Sequence, residues 1–230
     1  MAVKLLAIDT AESACSAALL LDGKVLSHME QAVRGHSERI LPMMQSLLSE
    51  AGCSLNDLDT LAFGRGPGSF TGLRIAAGVI QGAALGAGLP VVPVSTLQTL
   101  AQGAFRQHGA GQVLSALDAR MAEVYWGAYA LDNNGLMQPL LDELVCAPET
   151  VPAAGKGDWF GVGSGWQAYA QVLQQHAGAN IIKVLPDMQV DAQDMVHLAA
   201  ADFMADKAVD PEYAIPVYLR DNVARKKAVQ

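Results

Sequence analysis

The sequence predicts a two-lobed α/β protein, and three observations lead there. Apolar residues make up 51% of the 230 and charged residues only 17%, enough for one large core or two smaller ones and too little charge for extensive disorder. Short apolar runs bounded by turn residues alternate with stretches of helical periodicity. Near residues 109–111 the chain starts over: an apolar run, an aspartate, a tight loop and a second apolar run recur at 113–130 in the order already met at 5–20.

Residues 4–8, 15–21 and 24–29 read as three strands, the last two joined by Asp22-Gly23, a strong hairpin signal. Ile40, Leu41, Met44, Leu47, Leu48 and Ala51 recur at helical spacing, with Ser37 a fitting N-cap and Gly52 a fitting C-terminal stop. Pro42 argues for a later start to that helix, and Met43 widens its apolar surface. Residues 61–63 form a strand that enters the glycine-rich segment 64–72, where Ser69 caps a helix running to about Leu85. A strand at 91–94 follows, then a helix from Ser95 to about Gln107. The second half gives strands at 113–117, 124–130, 144–146, 160–162 and 181–185, a helix over 166–176, and a helix capped by Asp191 that ends near Asp206. Pro211 and Pro216 make the end an extended segment. The lobes are expected at 1–106 and 107–210, the second divergent, with 211–230 a tail packing back on the body.

Composition narrows the function. A net charge of −8 and a pI near 5.0 leave no basic stripe with which to grip nucleic acid alone. Arg225, Lys226 and Lys227 form the best basic cluster and read as a solvated tail. No run of about 18 apolar residues points to a membrane span, and residues 5–8 are too short for a signal segment. The three cysteines, Cys15, Cys53 and Cys146, are scattered and form no CxxC pair. A cytoplasmic protein without disulfides is the expectation.

Catalytic signatures are thin. None of the five histidines stands three or four residues from another, the spacing that puts two ligands on one helix face, so no metal site is expected. No GxSxG elbow occurs; Ser69 reads as a helix cap and Cys15 as a small core residue. Residues 64–72 open a helix and are rich in glycine, as anion-binding loops are, but lack the Walker lysine. Tight backbone packing explains the glycines equally well. Asp9 and Asp118 end equivalent strands beside tight turns; they are either turn formers or the carboxylates of phosphate-binding hairpins.

Gly78, Gly82 and Gly86 line one face of the helix that follows the glycine-rich segment, one turn beyond Arg74. Each helical glycine costs roughly 1 kcal/mol relative to alanine, so a compensating close contact is expected. That contact is either internal or a subunit interface shared with the methionine-bearing helix at 40–51.

Several segments together resemble the TsaB (YeaZ) family. They are Leu6-Ala-Ile-Asp-Thr10, His36-Ser-Glu-Arg-Ile-Leu-Pro42, Gly64-Arg-Gly-Pro-Gly-Ser-Phe-Thr-Gly-Leu-Arg74, Val94-Ser-Thr-Leu97 and Ala116-Leu-Asp-Ala-Arg120. The resemblance covers nearly the whole chain and is strongest in the first 125 residues. It implies a duplicated ribonuclease H-like fold of the actin and sugar-kinase superfamily, with mixed sheets flanked by helices. It also implies a non-catalytic scaffold and activator in the machinery that makes threonylcarbamoyladenosine in tRNA next to the anticodon, at position 37. Its implied partners are the catalytic paralogue TsaD and the ATPase TsaE, with a homodimer when alone and tRNA reached only through the complex. The paralogue's metal-binding histidine pair aligns with Thr96 and Leu100, neither a good ligand. The candidate docking residues are therefore Met43, Met44, Leu47, Phe70, Arg74, Gly78, Gly82 and Gly86. Asp9, Thr10, Asp118 and Gly163 would mark vestigial ATP or ADP loops, and no other cofactor is expected. The alternative is a nucleotide-dependent small-molecule kinase or hydrolase using Asp9 and Asp118. A stand-alone peptidase lacks both nucleophile and metal signatures.

Overall fold

A computed structural model describes residues 2–31 and 35–220; the basic cluster 225–227 lies outside them. The first sheet holds β1 (Leu5–Asp9), β2 (Ala14–Leu21), β3 (Lys24–Gln31), β4 (Thr60–Gly66) and β5 (Val91–Ser95), in the order β3-β2-β1-β4-β5. The β1–β2–β3 meander is antiparallel, and β1, β4 and β5 run parallel. Its hairpin follows the sequence signal: Asp22 and Gly23 both sit at positive φ, 50° and 79°, the geometry that matches the strand twist. β1 and β4 are buried along almost their whole length, as central strands covered on both faces must be.

The second sheet repeats the plan. It is built from β6 (Gln112–Arg120), β7 (Glu123–Leu131), β8 (Met137–Pro139), β9 (Leu144–Cys146), β10 (Asp158–Val162) and β11 (Asn180–Leu185). The order is β11-β10-β6-β7-β8, with β9 also paired to β7. β6 and β7 stand for β1 and β2, and the parallel pair β10 and β11 for β4 and β5.

Among the described residues five α-helices cover these sheets: α1 (His36–Ala51), α2 (Phe70–Ala87), α3 (Thr96–His108), α4 (Ser164–His176) and α5 (Ala192–Met204). Ser69, Ser95 and Asp191 cap α2, α3 and α5 through their side-chain oxygens. Two starts differ from expectation. α1 begins at His36 after Gly35, with Pro42 inside it on the solvent side, so the helix forgoes one hydrogen bond rather than starting late. α4 begins at Ser164, before the expected Trp166.

α1 and α2 cover one face of the first sheet, where Ile40, Met43, Leu47, Ala76 and Ile80 meet Leu6, Ile8, Leu61 and Phe63. Its other face is covered from the far end of the chain, by Met195, Val196 and Ala199 of α5. The exchange is mutual. α3 packs Leu97, Leu100, Ala101 and Ala104 on Val113, Leu117, Tyr129 and Val162 of the second sheet, whose other face takes α4. The packed layers cross the expected 106/107 boundary in both directions.

α3 and α5 are joined by a bidentate pair, Arg106 Nε to Asp194 Oδ1 at 2.6 Å and Nη2 to Oδ2 at 3.0 Å. Gly103 makes room for it, since a Cβ there would lie 2.9 Å from Asp194 Oδ2. Burial pushes the Asp194 carboxyl up despite the guanidinium beside it. Arg106→Ala strands that buried carboxylate. The arginine side chain is 38% exposed, so water replaces part of what is lost. We expect a loss of about 2 kcal/mol, below the 3–5 kcal/mol of a fully buried pair, read from urea unfolding.

Candidate functional site

Glycine at 64–72 is explained by close packing against the β1–β2 turn. Thr10 Oγ1 donates to Gly72 O at 2.7 Å, and Ser69 N donates to Ala11 O at 2.7 Å. A Cβ on Gly68 would lie 2.6 Å from Ala11 O, and one on Gly72 only 1.9 Å from Thr10 O. These glycines are used for contact with the β1–β2 turn, while Ser69, Thr71 and Gly72 also border the cleft described below. Asp9 is turned into this packing. A Cβ on Gly64 would lie 1.8 Å from its Oδ2, an atom with no hydrogen-bond partner, while Oδ1 accepts from Ala11 N at 2.9 Å. Burial pushes the Asp9 carboxyl up to about 7, with the Ala11 N–H opposing. In the second lobe Gly163, at φ 99°, plays the same packing part against Ala116 O, 2.6 Å from where a Cβ would stand.

A cleft of ≈ 810 Å³ opens between the lobes, with Glu12, His36, Thr71, Asp118, Arg120 and Ser164 among its walls. Asp118 is the only one of the four expected nucleotide-loop residues that lines it; Asp9, Thr10 and Gly163 do not. The Ser164 hydroxyl ties the walls together, donating to Glu12 Oε2 at 3.3 Å and accepting from Asp118 N at 3.1 Å. Asp118 Oδ2 also pairs with Arg120 Nη1 at 2.9 Å. Burial raises the Glu12 carboxyl to about 7; Ser164 and Arg120 oppose the shift and Asp118 adds to it. Burial, helped by Arg39, lowers His36. Cys15 sits in the core with its thiol pushed up to about 11 by burial, far from a reactive thiolate. Sequence reasoning misses Glu12 and Ser164, although a signal exists: each follows closely on a strand of the repeated plan, Glu12 in the turn after β1 and Ser164 at the first position of α4 after β10.

The second region is the outer face of α2. Leu73, Ala76, Ile80 and Ala84 are buried against the sheet, whereas Phe70, Arg74, Gly78, Gly82 and Gly86 face outward. Among the described residues no atom of another element stands within 4 Å of a Cβ placed on Gly78, Gly82 or Gly86, so the glycine row makes no close contact there. Beside it lie further exposed apolar groups, Leu41 of α1, Leu85, and Tyr213, Ile215 and Tyr218 of the tail. Arg74 stacks on the Phe70 ring at 3.7 Å, and its Nε donates to Tyr218 Oη at 3.1 Å. Met43, Met44 and Leu47 require correction. They are 5%, 4% and 0% exposed, because α1 turns its methionines onto the sheet and leaves Leu41, Gln45 and Ser49 to solvent. By length and composition α2 would also serve as a membrane-spanning helix, at mean hydropathy 1.2, yet its inner face is packed on a sheet.

Residues 28–228 match the family model of TsaD, tRNA N6-adenosine threonylcarbamoyltransferase. The tRNA threonylcarbamoyladenosine biosynthesis protein TsaB of Escherichia coli (strain K12) is 50% identical, across 98% of either chain. The chain belongs to the TsaB (YeaZ) family. TsaB of Haemophilus influenzae (strain ATCC 51907 / DSM 11121 / KW20 / Rd) is 42% identical over 97% of this chain and 96% of its own. The solved structure of YeaZ from Pseudomonas aeruginosa superposes at TM-score 0.89 with 45% identity, over 94% of this chain and all of that one. A second solved structure is described as an uncharacterized protein with similarity to peptidase YEAZ from Pseudomonas aeruginosa; it gives the same TM-score, 0.89, over 95% of this chain. With TsaB-family membership the two-lobed α/β architecture is that of the duplicated ribonuclease H-like, actin and sugar-kinase fold, and the mirrored strand orders are its internal repeat.

Proposed function

We propose that this chain acts in tRNA threonylcarbamoyladenosine biosynthesis as a non-catalytic scaffold that binds and supports a TsaD-type catalytic paralogue through the outer face of α2. The observation that carries this is the uncovered row Gly78, Gly82 and Gly86 between exposed apolar and aromatic side chains. Three glycines weaken a helix by roughly 3 kcal/mol, and only a helix or strand laid closely across them recovers that loss. The same face would pair two copies when no paralogue is present. A TsaE-type ATPase would join the assembled pair, and tRNA would be reached through the complex, in keeping with a net charge of −8. Among the described residues no three His, Cys, Asp or Glu side chains stand together as a metal set, which supports placing the chemistry in the partner.

Gly78→Leu tests the proposal. A Cβ at this position has no atom of the described residues within 4 Å, so the fold should be kept, while a helix lying on the row is pushed away. Calorimetric titration with a TsaD-type paralogue should show at least a hundred-fold loss of affinity with the circular dichroism unchanged. Unaltered affinity would mean that the paralogue docks elsewhere.

A further inference from the structure

The tail crosses both lobes. Val209 bridges to Val91 at the edge of the first sheet, Gln81 Nε2 donates to Ala214 O at 3.1 Å, and Val217 N donates to Arg65 O at 2.8 Å. Tyr218 then joins the stack on Phe70 and Arg74. Arg220, 16% exposed at its side chain, reaches the β6–β7 turn of the second lobe. There its guanidinium pairs with Glu123 and points one N–H at Arg120 O, 3.4 Å away, and another at Met121 Sδ, 3.9 Å away.

That turn is strained. Arg120, Met121 and Ala122 lie in succession at φ 62°, 56° and 59°, a left-handed run of three residues none of which is glycine. A side chain with a Cβ disfavours this region, and the conformation persists only where its surroundings over-determine it. Besides the Arg120–Glu123 pair of the β6–β7 ladder, two side chains do so: Asp118, whose Oδ1 accepts from Arg120 N at 2.9 Å, and Arg220. Asp118 and Arg120 are also walls of the cleft. The docking face and the cleft therefore meet in one short segment, with Tyr218 on the first and Arg220 holding a wall of the second.

We propose that the tail from Tyr218 to Arg220 is a coupling strap, so that a partner covering Tyr218 fixes Arg220 on the β6–β7 turn and holds the cleft wall in its left-handed form. When Arg220 leaves, the turn loses its outside support, its side-chain-bearing residues leave the left-handed region, and Arg120 moves away from Asp118. The partner in question is the one proposed above, so this inference rests on that reading for its second half; the hold of Arg220 on the turn does not.

Hydrogen exchange on the full chain tests both halves. In the free protein, Arg220→Gln should raise exchange in a peptide spanning residues 119–124 at least ten-fold and leave peptides from β1 and α1 unchanged, and Arg220→Lys should recover only part of the protection. Equal exchange in wild type and Arg220→Gln would overturn the strap. Adding a TsaD-type paralogue should slow exchange at 119–124 in wild type but not in Arg220→Gln. A paralogue that protects α2 equally in both proteins, and leaves 119–124 unchanged in both, would overturn the coupling while preserving the docking proposal. A paralogue that leaves α2 unprotected would remove the docking proposal and the coupling with it, and leave the hold of Arg220 to be judged on the free protein.

Discussion

Gly72→Ala should cost about 3 kcal/mol of stability, whereas Gly78→Ala further along the same helix should add about 1 kcal/mol. Both glycines belong to α2 and both have helical neighbours, so helix propensity alone predicts a gain at each. Their surroundings reverse the sign at Gly72. Its added methyl would meet Thr10 O at 1.9 Å, a backbone atom that cannot swing aside, and would break the bond from Thr10 Oγ1 to Gly72 O. Gly78 meets nothing within 4 Å, so its methyl only reduces the freedom of the unfolded chain and strengthens the helix. Urea unfolding of the two variants separates the two uses of glycine in one helix. A Gly72→Ala protein as stable as wild type would show that the β1–β2 turn is free to move.

Asp9→Asn should make the protein about 3 kcal/mol more stable at pH 8 and leave it almost unchanged at pH 5. The Asp9 carboxyl moves from 3.8 in an unfolded chain to about 7 in the fold. A raised carboxyl contributes stability that is complete below the unfolded value and lost as pH rises through the folded one. That rise corresponds to about 4 kcal/mol, from which about 1 kcal/mol is subtracted for the amide left without a full set of partners. Asparagine keeps the oxygen that accepts from Ala11 N and replaces the orphaned Oδ2 with an uncharged group. Glu12 shifts in the same direction, from 4.5 to about 7, so wild type should weaken between about pH 4 and pH 7 for two reasons, and Asp9→Asn should remove one of them. Unfolding curves at the two pH values check this; the same change with pH in both proteins would show that Asp9 is not the titrating group.

Much of the fold was legible in the sequence because its signals are local. Asp22-Gly23 needs only its own two residues to make a hairpin, and Ser69, Ser95 and Asp191 each cap the helix they precede. What lay beyond reach was which surface each helix finds. Periodicity gives α1 an apolar stripe, but Met43 and Met44 could extend that stripe toward a partner or toward the sheet, and the sheet claims both. The glycine row of α2 was open to the opposite outcome and turned outward. Asp9 and Asp118 look equivalent in sequence. They separate because Gly64 draws the first into the core, while Arg120 and Ser164 hold the second at the cleft. Tyr218 and Arg220 carried no periodic signal at all, since the tail is extended and its role depends on residues about a hundred positions away.

The exchange of α3 and α5 between sheets sets an order on synthesis. When the ribosome has finished β5, every strand of the first sheet exists, yet one apolar face stays bare until residues 192–204 emerge. The five strands of the first sheet can thus pair with one another long before that face is buried. Among the described residues α5, made after every strand of both sheets, is the helix that closes the sheet begun first.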